Sequence, residues 1–412
     1  MHPQGRHGDG GENQGRKGKG GIMMSCDCDD RRWRSMLDRR RALLGGAGLA
    51  LGLVAAPGRA VAQDATPLAE GQVLIAQPPI GPLANGSFIS PYVELHGNVV
   101  FGSGCFVASN TLLNAAPERL IALGDENNCQ DNAYLTASSA NLTFGAMVSI
   151  AHQAAIENSI VGDFTFFGFR SRVRNCTVGA GTMVMHNTVV EGVTLPPNRI
   201  TPSGATITTQ EVADALPELI PGNEEFKTEV QRVNREFAAG YTTLYEDGGV
   251  AAVEGIGPNP VTSFNPESID PQIGEGARLR EMVRIVGDVR LGDRAWIGQR
   301  TAIRADEGAP IIIGRNARIG NRVTFHALEH TSLVVGDTAT IGEECVLHGP
   351  LTAGNNLTCE DEVVLFRATV EDNVTLREGA TVAGEVVLRE GTIVPERAVI
   401  ETQDQADALP RR

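Results

Sequence analysis

The stretch FHALEH, residues 325–330, sets His326 three residues ahead of Glu329, after RIGNRVT, a run with spaced aliphatics. If His326 binds a metal it needs partners, because a catalytic zinc-type site takes three protein ligands and keeps one position open for water. Outside the first 62 residues the chain offers only His96, His152, His186, His326, His330 and His348. Most stand far apart in sequence. The elements that carry them therefore decide whether any site exists.

Those elements follow a six-residue period. Aliphatic residues fall at Ile285, Leu291, Ile297 and Ile303, again at Val335, Ile341 and Leu347, and from Val370 through Leu376, Val382 and Leu388 to Val394. The earlier part repeats it at Leu95, Phe101, Val107 and Leu113, then at Phe144, Ile150 and Ile156. It goes on through Val161, Phe167 and Val173 to Val178, Val184 and Val190. Neither the helical nor the strand period explains this spacing. A three-sided prism does: each face is a short parallel strand with one inward apolar side chain, and about 18 residues make one coil. Glycine often follows the apolar position, where the chain turns a corner.

A larger repeat lies above the small one. TQEVADALP at 209–217 returns as TQDQADALP at 402–410, which reads as a short helix closing each half. Residues 223–247 carry Phe226, Val230, Val233, Phe237 and Tyr241 at helical spacing, so a long helix is expected along the outside of the first prism. The expected fold class is all-β, two tandem parallel β-helices with a long α-helix after the first. The expected divisions are a leader at 1–62, a first β-helix with its helix at 63–247, a linker at 248–267 and a second β-helix at 268–412.

The leader reads as Gly-, Arg- and Asp-rich sequence without apolar periodicity, followed by an export signal. Arg39, Arg40 and Arg41 precede an apolar run at 42–56, too short to span a bilayer, and Ala60-Val61-Ala62 fits a cleavage site. The paired arginines point to twin-arginine export and a periplasmic or secreted protein; an ordinary secretory signal or an uncleaved anchor competes with that reading. Met23 and Met24 compete with Met1 as the start. Residues 1–62 hold 11 Lys and Arg and 6 Asp and Glu; without them 24 basic residues face 44 acidic ones, a net charge of −20. That charge argues against nucleic acid as a partner. No later apolar run has transmembrane length, so no membrane contact is expected after cleavage. Five cysteines remain, with no C-x-x-C, so neither a disulfide framework nor a thiolate zinc site is indicated.

RADEGAPIIIGRNARIGNRVTFHALE and VLHGP in the second half resemble the γ-class carbonic anhydrases, and VSIAHQ and EVQRVNREFAAGY in the first half resemble the same family. The resemblance covers nearly all of 85–410, once per half, and implies left-handed hexapeptide-repeat β-helices. In the family, three histidines at the interface of neighbouring β-helices bind the metal, two from one and the third from the next. Here the second half keeps His326 and His348 but has Glu343 at the third position. The first keeps His152 but has Thr136 and Glu157 at the other two. Other family positions divide in the same complementary way. Arg304, Asp306 and Glu307 stand in the second half, and Gln130, Asp131 and Asn234 in the first.

The resemblance thus implies a composite site: His152, His326 and His348 on Zn2+, with Fe2+ or Co2+ as substitutes, and Arg304 paired to Asp131 across the interface. It further implies Glu307 as proton acceptor beside the metal, Glu329 as shuttle, Gln130 orienting the attacking hydroxide, Asn234 placing CO2 or bicarbonate, and Asp306 in the surrounding shell. The expected activity is hydration of CO2 to bicarbonate, with a homo-oligomer packed like the family's trimers. Competing readings are a non-catalytic structural or assembly module, a hexapeptide acyltransferase, and second halves that pair with one another and use Glu343 as third ligand. His96, His186 and His330 read as solvated or structural, and Cys345 and Cys359 as small buried hydrophobes.

Overall fold

The computed structural model describes residues 73–75 and 81–412. The segment read as an export signal with its cleavage site lies outside the described residues. By its contacts the chain divides into Met1–Ala65 and Thr66–Arg412, and every described residue belongs to the second unit. Among the described residues no helix is long and apolar enough to cross a membrane.

Short strands and a six-residue apolar repeat produce two tandem left-handed parallel β-helices. In the first, three seven-stranded sheets form the faces. Their pairings are parallel except at the N-terminal edge, where Val73–Ile75 and Gly81–Pro82 run antiparallel to their neighbours. The periodic residues point inward and stack coil on coil. Phe101, Val107, Leu113, Ile150, Ile156, Val173 and Val190 belong to one core, and Ile285, Leu291, Ile303, Leu347, Val382 and Val394 to the other. Leu95, in the first full coil, is only partly buried.

The corners explain the glycines. A Cβ on Gly292 would lie 2.5 Å from the carbonyl carbon of Gly314 in the next coil, and one on Gly314 would lie 2.5 Å from that of Gly336. Contact between stacked coils, not backbone dihedral, excludes a side chain there. The residues beside these glycines tie the corners together: Asp337 Oδ1 accepts from the Arg315 N–H at 2.8 Å, and Asn355 Oδ1 accepts from the Asp337 N–H at 2.9 Å.

Among the described residues four helices accompany the coils: α1 (Gln210–Asp214), α2 (Pro221–Gly248), α3 (Val250–Val253) and α4 (Gln403–Asp407). The repeated nonapeptides supply α1 and α4. Proline at its first position starts α2, where a missing N–H costs nothing. Helix α2 buries Val233, Phe237, Ala238 and Tyr241 against Phe88 and Phe106, which project outward from the first β-helix. The Lys227 ammonium donates to the carbonyls of Gly181 (2.6 Å) and Phe164 (3.2 Å) and pins the start of the helix.

The segment read as a linker touches both halves. After α3, Glu254 is buried in the first half, where it accepts hydrogen bonds from Ser109 and the Tyr92 N–H. Ile256–Gly257 then adds a strand to Arg284–Gly287 of the second half. Asn265 donates to the carbonyl oxygens of Asp306 and Glu307, so the segment also holds the loop that carries two candidate site residues.

Candidate metal centre

Parallel register places the second-half residues. Arg304 pairs with His326 and His326 with His348 on adjacent strands, so the three side chains leave one face in a column. Arg304 to His326 and His326 to His348 are each 22 residues, four more than a regular coil. The additional residues of the first interval form the loop bearing Asp306 and Glu307, and those of the second the loop bearing Glu329. In the first half the matching column is Asn114, Thr136 and Glu157, which contains no imidazole.

The first half contributes from its corners. His152 follows the strand Ser149–Ile150, and Gln130 and Asp131 follow Asn128–Cys129 one coil earlier. Corner residues of the first half dock on the second half's backbone. Gln153 Nε2 donates to Arg322 O at 2.7 Å and Cys345 O at 3.0 Å, and Arg170 donates to Glu344 O at 2.7 Å. The seam between the halves therefore forms within one chain, and it brings His152 to the column. One nitrogen from each of His152, His326 and His348 lies within 4.8 Å of the others, and all three residues are buried.

Hydrogen bonds fix which nitrogens face inward. His348 Nδ1 lies 2.9 Å from its acceptor Gly349 O, so it carries the proton and leaves a lone pair on Nε2. His326 Nε2 lies 3.1 Å from Asp306 Oδ1, which leaves a lone pair on Nδ1. His326 Nδ1 and His348 Nε2 then face each other at 3.2 Å. Two lone pairs at that distance repel unless a cation lies between them. Two nitrogens each about 2.1 Å from a tetrahedral zinc would be about 3.4 Å apart. His152 turns Nδ1 towards Asp131 Oδ2 at 3.3 Å, too bent for a full hydrogen bond, and keeps Nε2 for the centre. Burial brings the His152 imidazole down to about 4 despite Asp131, and burial together with the neighbouring histidines takes His348 well below its ordinary range. Both are neutral at pH 7, the form that binds metals. The donor set fits a divalent ion of the zinc class.

The surrounding charges are paired. Arg304 donates to Asp131 Oδ2 at 2.5 Å across the seam and to Asp306 Oδ2 at 2.9 Å within its own half. Burial alone would raise both carboxylates, but the Arg304 guanidinium and the adjacent histidines hold Asp131 and Asp306 below their usual range. Gln130 lies between Arg304, which donates to its Oε1 at 3.3 Å, and Asn234, whose Oδ1 accepts from its Nε2 at 2.6 Å. Asn234 reaches the site from α2 and is itself held by a bond to Val230 O.

A cavity of about 60 Å³ opens beside the three imidazoles. That is room for about four waters, or for a water and one small molecule. Gln130, Asn234 and Glu307 line it with Phe166, Phe226 and Leu328. Glu307 Oε2 lies 3.8 Å from His326 Nε2, its other oxygen accepts from the Glu329 N–H, and burial raises its carboxyl pKa. Glu329 is placed differently: its carboxylate pairs with Arg232 of α2 and with His330, away from the cavity. Glu343 accepts from Asn321 at 2.9 Å and does not join the histidine group of this chain.

Three residues of the site carried no signal beyond apolar or structural spacing. Phe169 stacks between His348 (4.9 Å) and His186 (4.6 Å), so His186 supports the centre from below, its Nδ1 accepting from the Phe169 N–H. Tyr241, legible only as an apolar position of a helix, donates to Asp306 Oδ2 at 2.5 Å. His96 and His330 are exposed, as expected of solvated residues.

No family model matches the chain. It is 32% identical over 167 residues to the carboxysome assembly protein CcmM of a Nostoc species, and 34% identical over 164 residues to that of Synechococcus elongatus. These matches cover 38% and 37% of this chain and 30% of each relative, so the chain spans under a third of their length. It is also 29% identical over 187 residues to a carbonic anhydrase of Methanosarcina thermophila, across 40% of this chain and 74% of that one. The chain is γ-carbonic-anhydrase-like. Among solved structures, a hexapeptide transferase family protein from Anaplasma phagocytophilum is 28% identical and covers 30% of this chain and 73% of its own. The TM-score of that match is 0.29. The γ-carbonic-anhydrase-like reading thus rests on the sequence relatives, the coiled fold and the grouped histidines.

Proposed function

We propose that this chain is an exported carbonic anhydrase that interconverts CO2 and bicarbonate at a metal held by His152, His326 and His348. The convergence of three buried, inward-facing imidazole nitrogens on one point carries this reading. His152, His326 and His348 would hold a divalent ion, which when bound would supply an activated water with its pKa lowered to about 7. The remaining work falls to residues of the chain. Gln130, fixed at both ends of its amide by Arg304 and Asn234, presents a preset hydrogen-bonding group to the reacting oxygen. The apolar wall of Phe166, Phe226 and Leu328 suits a small unhydrated molecule and excludes surplus water. Glu307, with its pKa raised by burial, takes up the released proton at Oε2, because a base works best when its pKa approaches the operating pH.

Stopped-flow CO2 hydration on zinc- and cobalt-loaded protein tests the reading. Hydration far above the buffer rate supports it. A loaded protein with no added hydration would leave the second reading, a non-catalytic assembly module, which the names of the carboxysome assembly relatives favour. Glu307→Gln is expected to lower kcat about 10²-fold with metal content unchanged, since general-base groups contribute that much or more. Export is tested by N-terminal sequencing of the mature protein, expected to begin at Gln63. The expected oligomer is part of the proposal, but the centre itself draws all its ligands from one chain.

A further inference from the structure

We propose that Tyr241 is a positioning residue for His326, acting through Asp306 across the seam between the two β-helices. The inference rests on the proposed three-histidine metal centre. Each ligand histidine needs a partner on its outer nitrogen to fix its tautomer and aim, and such partners typically change metal affinity 10–100-fold. His348 has Gly349 O of its own half, and His152 has Asp131 of its own half. His326 relies on Asp306, and Asp306 is not held by its own half alone.

Asp306 is fully buried, with Oδ1 towards His326 and Oδ2 shared by Arg304 Nε and the Tyr241 hydroxyl. Carboxylate torsions are broad, so one donor on Oδ2 leaves the group free to rock. Two donors from different directions fix its plane. Oδ1 then holds the His326 N–H, and Nδ1 points at the centre. Tyr241 is well suited to this task because its ring cannot shift. It packs against Phe88 (5.4 Å) and Phe106 (5.6 Å) of the first β-helix and against Phe237 (6.0 Å) of its own helix. The hydroxyl thus registers a ligand of the second half against the body of the first.

Tyr241→Phe in the full-length protein removes one oxygen and keeps the ring. Two quantities decide: the Zn2+ Kd by chelator competition and the visible spectrum of the Co2+ form. The expected result is a Kd weakened about 10–100-fold with altered cobalt bands. Val394→Ala hollows the core of the second β-helix without touching the aromatic slot; it is expected to lower Tm and leave Kd within about 2-fold. Tyr241→His retains a ring and a donor and should recover part of the loss. Tyr241→Phe with wild-type Kd and spectrum overturns the proposal, and so does equal weakening by Val394→Ala. A wild-type protein that binds no metal overturns the metal-centre reading as well, which separates the two failures.

Discussion

His152→Ala is expected to strip the protein of its metal as completely as His326→Ala does, although the two residues lie in different β-helices. One ligand of four is worth roughly a quarter of the ~10–16 kcal/mol typical of a zinc site. The expected loss is therefore about 10²–10³-fold in affinity. Metal analysis after dialysis should fall from about one ion per chain to none for either variant. The same experiment distinguishes the seam from its rivals. A His152→Ala protein that still holds one ion per chain would move the centre to the second half alone, with Glu343 brought in from elsewhere. Thermal melts offer a second readout. An ion bridging the halves stabilises only the docked form, so at 100 times Kd it adds about 2.7 kcal/mol, and this gain should vanish in His152→Ala.

Arg304→Met should be the most destabilising single substitution at the seam. Arg304, Asp131 and Asp306 are 2% exposed or less, so solvent screens none of the charges. Removing one member of a buried ion pair typically costs about 3–5 kcal/mol, because the remaining charge is left buried without compensation. Here two carboxylates lose a shared cation, and Phe106 and Phe237 lose the guanidinium near their ring faces. Urea unfolding of chelator-treated protein at pH 7 measures the cost. The sign of its pH dependence comes from the carboxylates. Both are held below the ordinary carboxyl value, so their contribution is present above about pH 4 and is lost as pH falls through their folded-state values. The gap between wild type and Arg304→Met should narrow on acidification. A gap that widens in acid, or a cost below about 1 kcal/mol at pH 7, would mean that the seam is held by backbone contacts such as those of Gln153 and Arg170.

The sequence by itself determined the coils. An inward aliphatic every six residues admits one compact solution, because each face turns one side chain to the axis and each corner is crowded by the next coil. Ile303 and Leu347 are therefore legible as core from their spacing alone. The split of the histidines is legible too, through the family motifs and not the period: Arg304, His326 and His348 stand 22 residues apart, and strand pairing across the inserted loops is what sets them in one column, as it does Asn114, Thr136 and Glu157. Position relative to the other half is not legible. Nothing in the period states that the corner bearing His152 meets the column bearing His326 within one chain. That depends on contacts such as Gln153 to the Arg322 and Cys345 carbonyls, between residues about 170–190 positions apart. Nor does local sequence separate Glu307, which faces the cavity, from Glu329, whose carboxylate turns to Arg232. Tyr241 looks like any apolar residue of α2, because its ring obeys the helix period and only its hydroxyl reaches across the seam. Coil geometry is a short-range, repeating constraint that a sequence can write out; the mating of two coils is a long-range one, set by which side chains meet after both have formed.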